Sequence, residues 1–447
     1  MDEGAVVNII GGGLSGSECS LQLASRRIKV KLYEMRPIKS TEAHKSGYFA
    51  ELVCSNSFRS DETTTAVGIL KQELRTLGSY LLKVADETRV PAGLSLAVSR
   101  DDFAKKVTEE IKSNPYIEIV IREVEKLPQP PVVVATGPLT SETFYKELEN
   151  IFKFYGLYYY DATSPIISAD SIDFNKVFMA SRYNKGTPDF INCPLNRAKY
   201  LEILNILREA PTFLKHNFDD VRFFEGCLPV EVMAKRGIDT LKFGPWKPVG
   251  LTENSEIEAV IQLRKDDLYG KTFNIVGFQT QLLHNYQKKI INLIPGLENA
   301  EILRYGSLHK NIYINSPRFL NRKFEIKEKR GFWVSGQITG VEGYVESIAS
   351  GLATALSVYA RLKNIEWDGF PSETMIGALS VYIEKGIGEL IFQPSNIQFG
   401  LVPPLASRTK KSDKKLRYKE RAEESLKKFI EDNPWILNDK ITCQNFI

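Results

Sequence analysis

"AVVNIIGGGLSGSECSLQLASRRIKVKLYE", residues 5–34, decides the fold. Its first six residues read as a short buried strand, the glycine-rich turn opens a helix, and "KVKLYE" (29–34) reads as the next strand. That is a β-α-β unit. Gly11, Gly13 and Gly16 stand in a G-x-G-x-x-G pattern between strand and helix. The first glycine permits the tight turn, the second lets a pyrophosphate approach the backbone, and the third lets helix and strand pack closely. The helix N-terminus favours the phosphate charge. Glu34, at the tip of the second strand, stands where a carboxylate takes ribose hydroxyls. Strand, helix and acid are all in place, so a dinucleotide site explains the stretch better than an ordinary glycine turn does.

Two later segments carry the same strand-then-glycine signature. "PPVVVATGP" (130–138) reads as a buried strand ending in a turn at Gly137. "RGFWVSGQITGVEGYVESIASGLATALSVYARL" (330–362) reads as strand, glycine turn and long helix, with Gly336, Gln337, Gly340 and Tyr344 in the turn. A plain dehydrogenase completes its nucleotide domain early, whereas FAD needs a later strand–helix turn to hold its isoalloxazine end. The layout therefore predicts an α/β fold with an FAD-binding domain built from residues 1–140 and 300–370. Residues 141–299 form an insertion carrying Cys193 and Cys227, and 371–447 form a C-terminal segment.

The bulk composition is compatible with this. A chain of 447 residues, 43% of them hydrophobic, is too long for one core. A net charge of +4 permits a polyanionic partner without demanding one. Within 407–428 there are ten Lys and Arg against four Asp and Glu, and the second half reads as helical: a solvated surface helix or a nucleic-acid contact. No run of 18 uncharged apolar residues is present, so no membrane span is expected. The five cysteines show no CxxC and no paired spacing. With no secretory signal, reduced thiols in a cytoplasm are expected, with no metal site and no evident protein partner.

Cys19, Cys193 and Cys443 read as small buried hydrophobes. Two other cysteines sit in richer company. Cys54 lies in "ELVCSNSFRS", where Ser55, Asn56, Ser57 and Arg59 suit a polar substrate edge. Cys227 lies between Gly226 and Leu228–Pro229, close in sequence to Glu225, Glu231, Lys235 and Arg236. A uracil C5 methylase needs a thiolate to attack C6 and a base to take the C5 proton afterwards.

"YEMRP", "ELVCSNSFRS", "AVGILKQELRTLGS", "ATGPLTS", "FEGCLPVEVMAKRG", "GPWKPVGL", "NIVGFQT", "IPGLENAEILRYGSLHKN", "GQITGVEGYVES" and "FQPSNIQFG" together resemble the TrmFO family, from residue 6 to about 405. That is the folate- and FAD-dependent RNA uridine-C5 methyltransferase family. The resemblance implies a glutathione-reductase-type flavin fold, methylenetetrahydrofolate as one-carbon donor, and NADPH or NADH to recharge the flavin. It matches Cys54 and Cys227 to the family's two catalytic cysteines, with Cys227 expected as nucleophile and Cys54 as base or alternate nucleophile. His309, in "YGSLHKN", resembles the histidine that stacks on the folate pterin. His44, His216 and His284 lie in no comparable motif. Arg264, in "QLRKDD", faces folate or RNA on this reading.

The sequence departs from the family where RNA contacts are expected. "LHKN" (308–311) stands for the usual "MHRN", and "QLRKDD" (262–267) for "QLRQDN". An arginine-to-lysine change loses planar bidentate binding. The resemblance leaves the RNA open between the T-loop uridine of tRNA and a 23S ribosomal RNA uridine. The competing reading is a flavin oxidoreductase of a small molecule with structural cysteines. A related wobble-uridine-modifying flavoprotein family, considerably longer, fits this length poorly.

Overall fold

The computed structural model describes residues 5–41, 43–152, 157–213, 228–386, 392–405, 410 and 412–437. Cys227, His216 and Cys443 lie outside the described residues. Short β-branched runs make the first sheet. Among the described residues, Phe332–Val334, Val132–Val134, Val6–Ile10, Lys29–Glu34 and Ile117–Ile121 lie side by side in that order, all parallel. Ile9 pairs with Leu32 on one side and Val133 on the other, and Val133 pairs with Trp333. All four are completely buried, as a sheet covered on both faces requires.

The helices that follow Val6–Ile10 and Phe332–Val334, Leu14–Ser25 and Tyr344–Leu362, cross at a seam of small residues. A Cβ on Gly351 would come within 2.4 Å of the Ser15 carbonyl oxygen. Ser15 Oγ lies 2.7 Å from Ser335 Oγ, and the Gly336 N–H donates to Ser350 Oγ at 2.9 Å. Buried carboxylates serve as caps for neighbouring helices. Glu18 accepts the Tyr80 and Leu81 N–H groups at the start of the Tyr80–Glu87 helix. Glu73 accepts those of Met375 and Ile376 at the start of the Met375–Lys385 helix, at 2.7 and 2.9 Å. These bonds satisfy amides that a helix leaves open at its first turn. Burial still pushes Glu73 up to about 8.

Between Val132–Val134 and Phe332–Val334 the chain builds a second sheet, antiparallel throughout. Its order is Phe178–Ala180, Phe190–Asn196, Ile257–Lys265, Thr272–Ile275, Ile166–Ser168 and Ile302–Arg304. It has its own hydrophobic core, in which Ile203, Trp246, Ile261 and Phe273 meet beneath the Arg197–Glu209 helix. A two-stranded ribbon, Leu157–Ala162 with Leu308–Tyr313, opens and closes this excursion and sets His309 opposite Asp161. A small three-stranded sheet of Ser57–Ser60, Ser95–Val98 and Arg89–Val90 flanks the parallel one. The basic segment forms the Lys414–Asp432 helix, which buries Tyr418, Ala422 and Leu426 at fourfold spacing and exposes Lys414, Lys415, Arg417, Lys427 and Lys428. Among the described residues no helix is long and apolar enough to cross a membrane.

Gly16 is the tightest point of the first β-α-β unit. A Cβ there would sit 1.9 Å from the Gly11 carbonyl oxygen. Gly16→Ala must push helix from strand and should destabilise the fold by about 2 kcal/mol or more. A thermal melt of the variant lying on top of the parent's would contradict this.

Candidate active site

Two adjoining hollows run along one edge of the parallel sheet. The first, of about 80 Å³, is lined by Gly11, Gly12, Gly13, Glu34, Arg36, His44 and Thr136. The second, of about 310 Å³, is lined by Cys54, Arg264, Asn274, Gln279, His309, Gln337 and Tyr344. Leu139 lines both, so the two hollows adjoin at that residue.

The first hollow fits a dinucleotide phosphate. Gly11 has φ +104°, and its Cβ would strike the Ala135 carbonyl at 2.5 Å, so the turn admits only glycine. A Cβ on Gly13 would meet no atom within 4 Å. Gly13 is also the N-cap of the Leu14–Ser25 helix and offers no capping side chain, which leaves the helix amides facing that open space. Glu34 lies on the wall with both oxygens engaged. Oε2 accepts the Gly12 N–H at 2.9 Å and Arg36 NH2 at 3.1 Å, while Oε1 accepts the Arg36 backbone N–H and Nε, both at 3.0 Å. Burial opposes its ionisation, but the hydrogen bonds and charge of Arg36 prevail and hold Glu34 below its ordinary value. A ribose hydroxyl reaching Glu34 would take the place of one of these N–H groups. His44, which no sequence motif marked, lies on the same wall. Burial first, then the Arg36 charge, pushes it down to about 4, so it faces the groove as a neutral ring.

Gly137 (φ +67°), Gly336 (φ +81°) and Gly340 (φ +90°) are all left-handed. A Cβ on Gly340 would strike the Phe392 ring at 2.6 Å. Gln337 donates to Glu342 at 2.8 Å on the cleft wall.

The second hollow is organised around the loop bearing Cys54. Tyr344 Oη accepts the N–H groups of Cys54 and Ser55 at 2.9 and 3.1 Å. Arg100 donates to the carbonyls of Leu52 at 2.8 Å and Cys54 at 3.2 Å, and is itself held by Asp266 at 2.8 Å. Arg304 donates to the Val53 carbonyl. Arg264 Nε donates to Asn56 Oδ1 at 3.0 Å, and Asn56 in turn bonds the carbonyls of Val98 and Lys265. Tyr344 acts here through its hydroxyl. Burial and then the neighbouring Cys54 raise its ionisation far above the ordinary range, so it stays a neutral phenol.

His309 lines the same cleft, with Nε2 3.0 Å from Ser307 Oγ. His284 does not: it stacks on Tyr305 at 4.2 Å. Cys19 and Cys193 are completely buried, as their neighbourhoods predicted. The described chain resumes at Leu228, and the Val230 N–H donates to the carbonyl of Gln279, a cleft residue, at 2.7 Å. Sequence reasoning missed Arg100, Arg304 and Asn274. Arg304 and Asn274 stand inside the family-like segments "IPGLENAEILRYGSLHKN" and "NIVGFQT", but no motif states that Arg100 and Arg304 hold a loop distant in sequence or that Asn274 lines its cleft.

Fold and groove thus define a doubly wound dinucleotide-binding protein with a thiol-bearing cleft beside the phosphate turn. A family model described as "Glucose inhibited division protein A" matches residues 6–366. A Staphylococcus carnosus protein named methylenetetrahydrofolate–tRNA-(uracil-5-)-methyltransferase TrmFO is 48% identical over 424 residues, covering 94% of this chain and 97% of the relative. A protein of the same name from Halalkalibacterium halodurans is 48% identical over 430 residues, covering 95% and 98%. The solved structure of Aquifex aeolicus GidA in its form II crystal superposes with a TM-score of 0.72 at 17% identity, covering 98% of this chain and 74% of that one, a likeness of fold alone. The chain belongs to the TrmFO family of folate-dependent tRNA (uracil-5-)-methyltransferases.

Because Tyr344 holds the Cys54 loop through one oxygen, Tyr344→Phe removes two hydrogen bonds at a half-buried site. Turnover should fall about tenfold or more while bound flavin per chain stays constant. Unchanged turnover would show that the loop is fixed without the hydroxyl.

Proposed function

We propose that this chain methylates C5 of a uridine in tRNA, using methylenetetrahydrofolate as one-carbon donor, FAD as redox cofactor and NADPH or NADH as reductant. The observation that carries the proposal is the pair of adjoining hollows, one at an uncapped helix N-terminus at Gly13 and the other containing Cys54, His309 and Tyr344. The relatives' names supply tRNA and the folate donor. We read the 23S ribosomal RNA alternative as the less supported target, and the reaction as cytoplasmic.

On this reading Gly11, Gly13 and Gly16 shape the phosphate turn, and Glu34, Gly137, Gly336, Gln337 and Gly340 hold the rest of the cofactor. Bound FAD, once reduced, supplies the hydride that takes the one-carbon unit from methylene to methyl. Cys227 attacks uracil C6, which makes C5 nucleophilic. After C5 bonds the one-carbon unit, Cys54 takes the C5 proton as the unit's bond to its folate nitrogen breaks; the hydride then adds to the exocyclic methylene so formed, and the C6–sulfur bond breaks to restore the ring. A thiolate at Cys54 would face the guanidinium groups of Arg100, Arg264 and Arg304, which favour that form. In support of a paired role for Cys227, Leu228 follows it directly and the chain docks on Gln279 at Val230. His309 lies on the wall where a pterin can stack. The exposed lysines and arginines of the Lys414–Asp432 helix meet RNA phosphates.

Labelled methylenetetrahydrofolate, NADPH and either tRNA or 23S transcripts test the target, and label in tRNA alone is expected. Cys227→Ala should abolish the covalent adduct with 5-fluorouridine RNA, and Cys54→Ala should abolish product. Full activity in both variants would defeat the thiol mechanism and return the small-molecule oxidoreductase reading. Gly13→Val fills the open space at the turn and should leave folded, colourless protein. Retained flavin absorption would refute the assignment of that turn.

A further inference from the structure

The Thr272–Ile275 strand alternates sharply. Phe273 and Ile275 are buried in the core of the antiparallel sheet, so Asn274 between them points to the opposite face. That face is the wall of the Cys54 cleft, of which Asn274 forms part. Asn274 is only 3% exposed, yet its Nδ2 has no hydrogen-bond partner among the described residues. Its cross-strand partner in the register is Arg264, whose guanidinium bonds Asn56, two residues beyond Cys54. Asn274 therefore stands on the cleft wall one strand away from the thiol loop, with a buried donor that has no partner among the described residues.

A buried amide without a partner costs folding free energy that an apolar side chain of similar size would not. Such a group points to a ligand that completes it. A carboxamide carries a donor and an acceptor side by side, complementary to a ring edge that presents a carbonyl beside an N–H. We propose that Asn274 is a specificity-determining residue which reads a cyclic amide edge of the bound reactant. Both molecules expected in this cleft have one: the uracil ring at N3–H and its flanking carbonyls, and the folate pterin at its own N3–H and carbonyl. The inference rests on the cleft being the active site, as argued above.

The test is Asn274→Leu in the full-length, flavin-loaded protein, with Cys54→Ala in parallel. Leucine removes the orphaned amide at nearly constant volume, so the thermal midpoint should hold or rise and the flavin content should be unchanged. The kcat/KM should nevertheless fall about tenfold or more. If the loss falls in KM for the tRNA transcript while KM for methylenetetrahydrofolate stays constant, the edge read is uracil's. If it falls in KM for the folate, the edge is the pterin's. Full activity of Asn274→Leu alongside a dead Cys54→Ala would overturn this inference and leave the cleft assignment standing. Activity surviving in both would overturn the cleft assignment itself. Should Asn274→Leu lose flavin or fold, Asn274→Ala decides: folded but inactive supports the reading, and misfolding of both shows a purely structural residue.

Discussion

The site depends on one short piece of backbone, residues 52–56, being held from several sides. Its carbonyls are taken by Arg100 and Arg304, and its amides by the hydroxyl of Tyr344. Arg100 begins a helix beside the parallel sheet, Arg304 ends a strand of the antiparallel sheet, and Tyr344 begins the long helix that follows Phe332–Val334. The loop is thus a node where three distant parts of the chain meet. A loop exposes backbone polar groups that water would otherwise satisfy, and guanidinium groups replace that water with fixed, charge-assisted partners. The result is a thiol whose position is set by the frame and a local surplus of positive charge on the cleft side.

That surplus is balanced with economy. Asp266 pairs with Arg100, and Glu346 pairs with Arg59 while accepting the Ile397 N–H. At the far end of the groove, Glu34 and Arg36 form a nearly inaccessible pair with Glu51 beside them. Buried ion pairs are weak sources of stability, but removing one partner strands the other. Such pairs fix geometry. Here they fix the phosphate turn at one end and the sulfur at the other, with Leu139 between them.

Much of the frame was legible in the chain itself. The β-α-β unit, the strands at 132–134 and 332–334, the long helix from Tyr344 and the helix in the basic segment all stand where hydrophobic runs and glycine punctuation placed them. Those signals are local: a strand buried on both faces must be apolar throughout, and a left-handed turn must be glycine. The cleft was legible in part. Cys54, His309 and Tyr344 stand in motifs that a family resemblance can match, and the structure brings them to one wall. The roles of Arg100, Arg304 and Asn274 were not legible: Arg304 and Asn274 stand in family-like segments, but what each faces is set by chain far away in sequence.

The sequence by itself determined the dinucleotide fold, since glycine spacing and short unbroken apolar runs are consequences of covalent geometry and of the chain's own pattern. Only the tertiary structure decided which charges surround the thiol and which amide is left without a partner. Those facts belong to pairs of residues up to hundreds of positions apart, and no periodicity along the chain encodes a meeting in space.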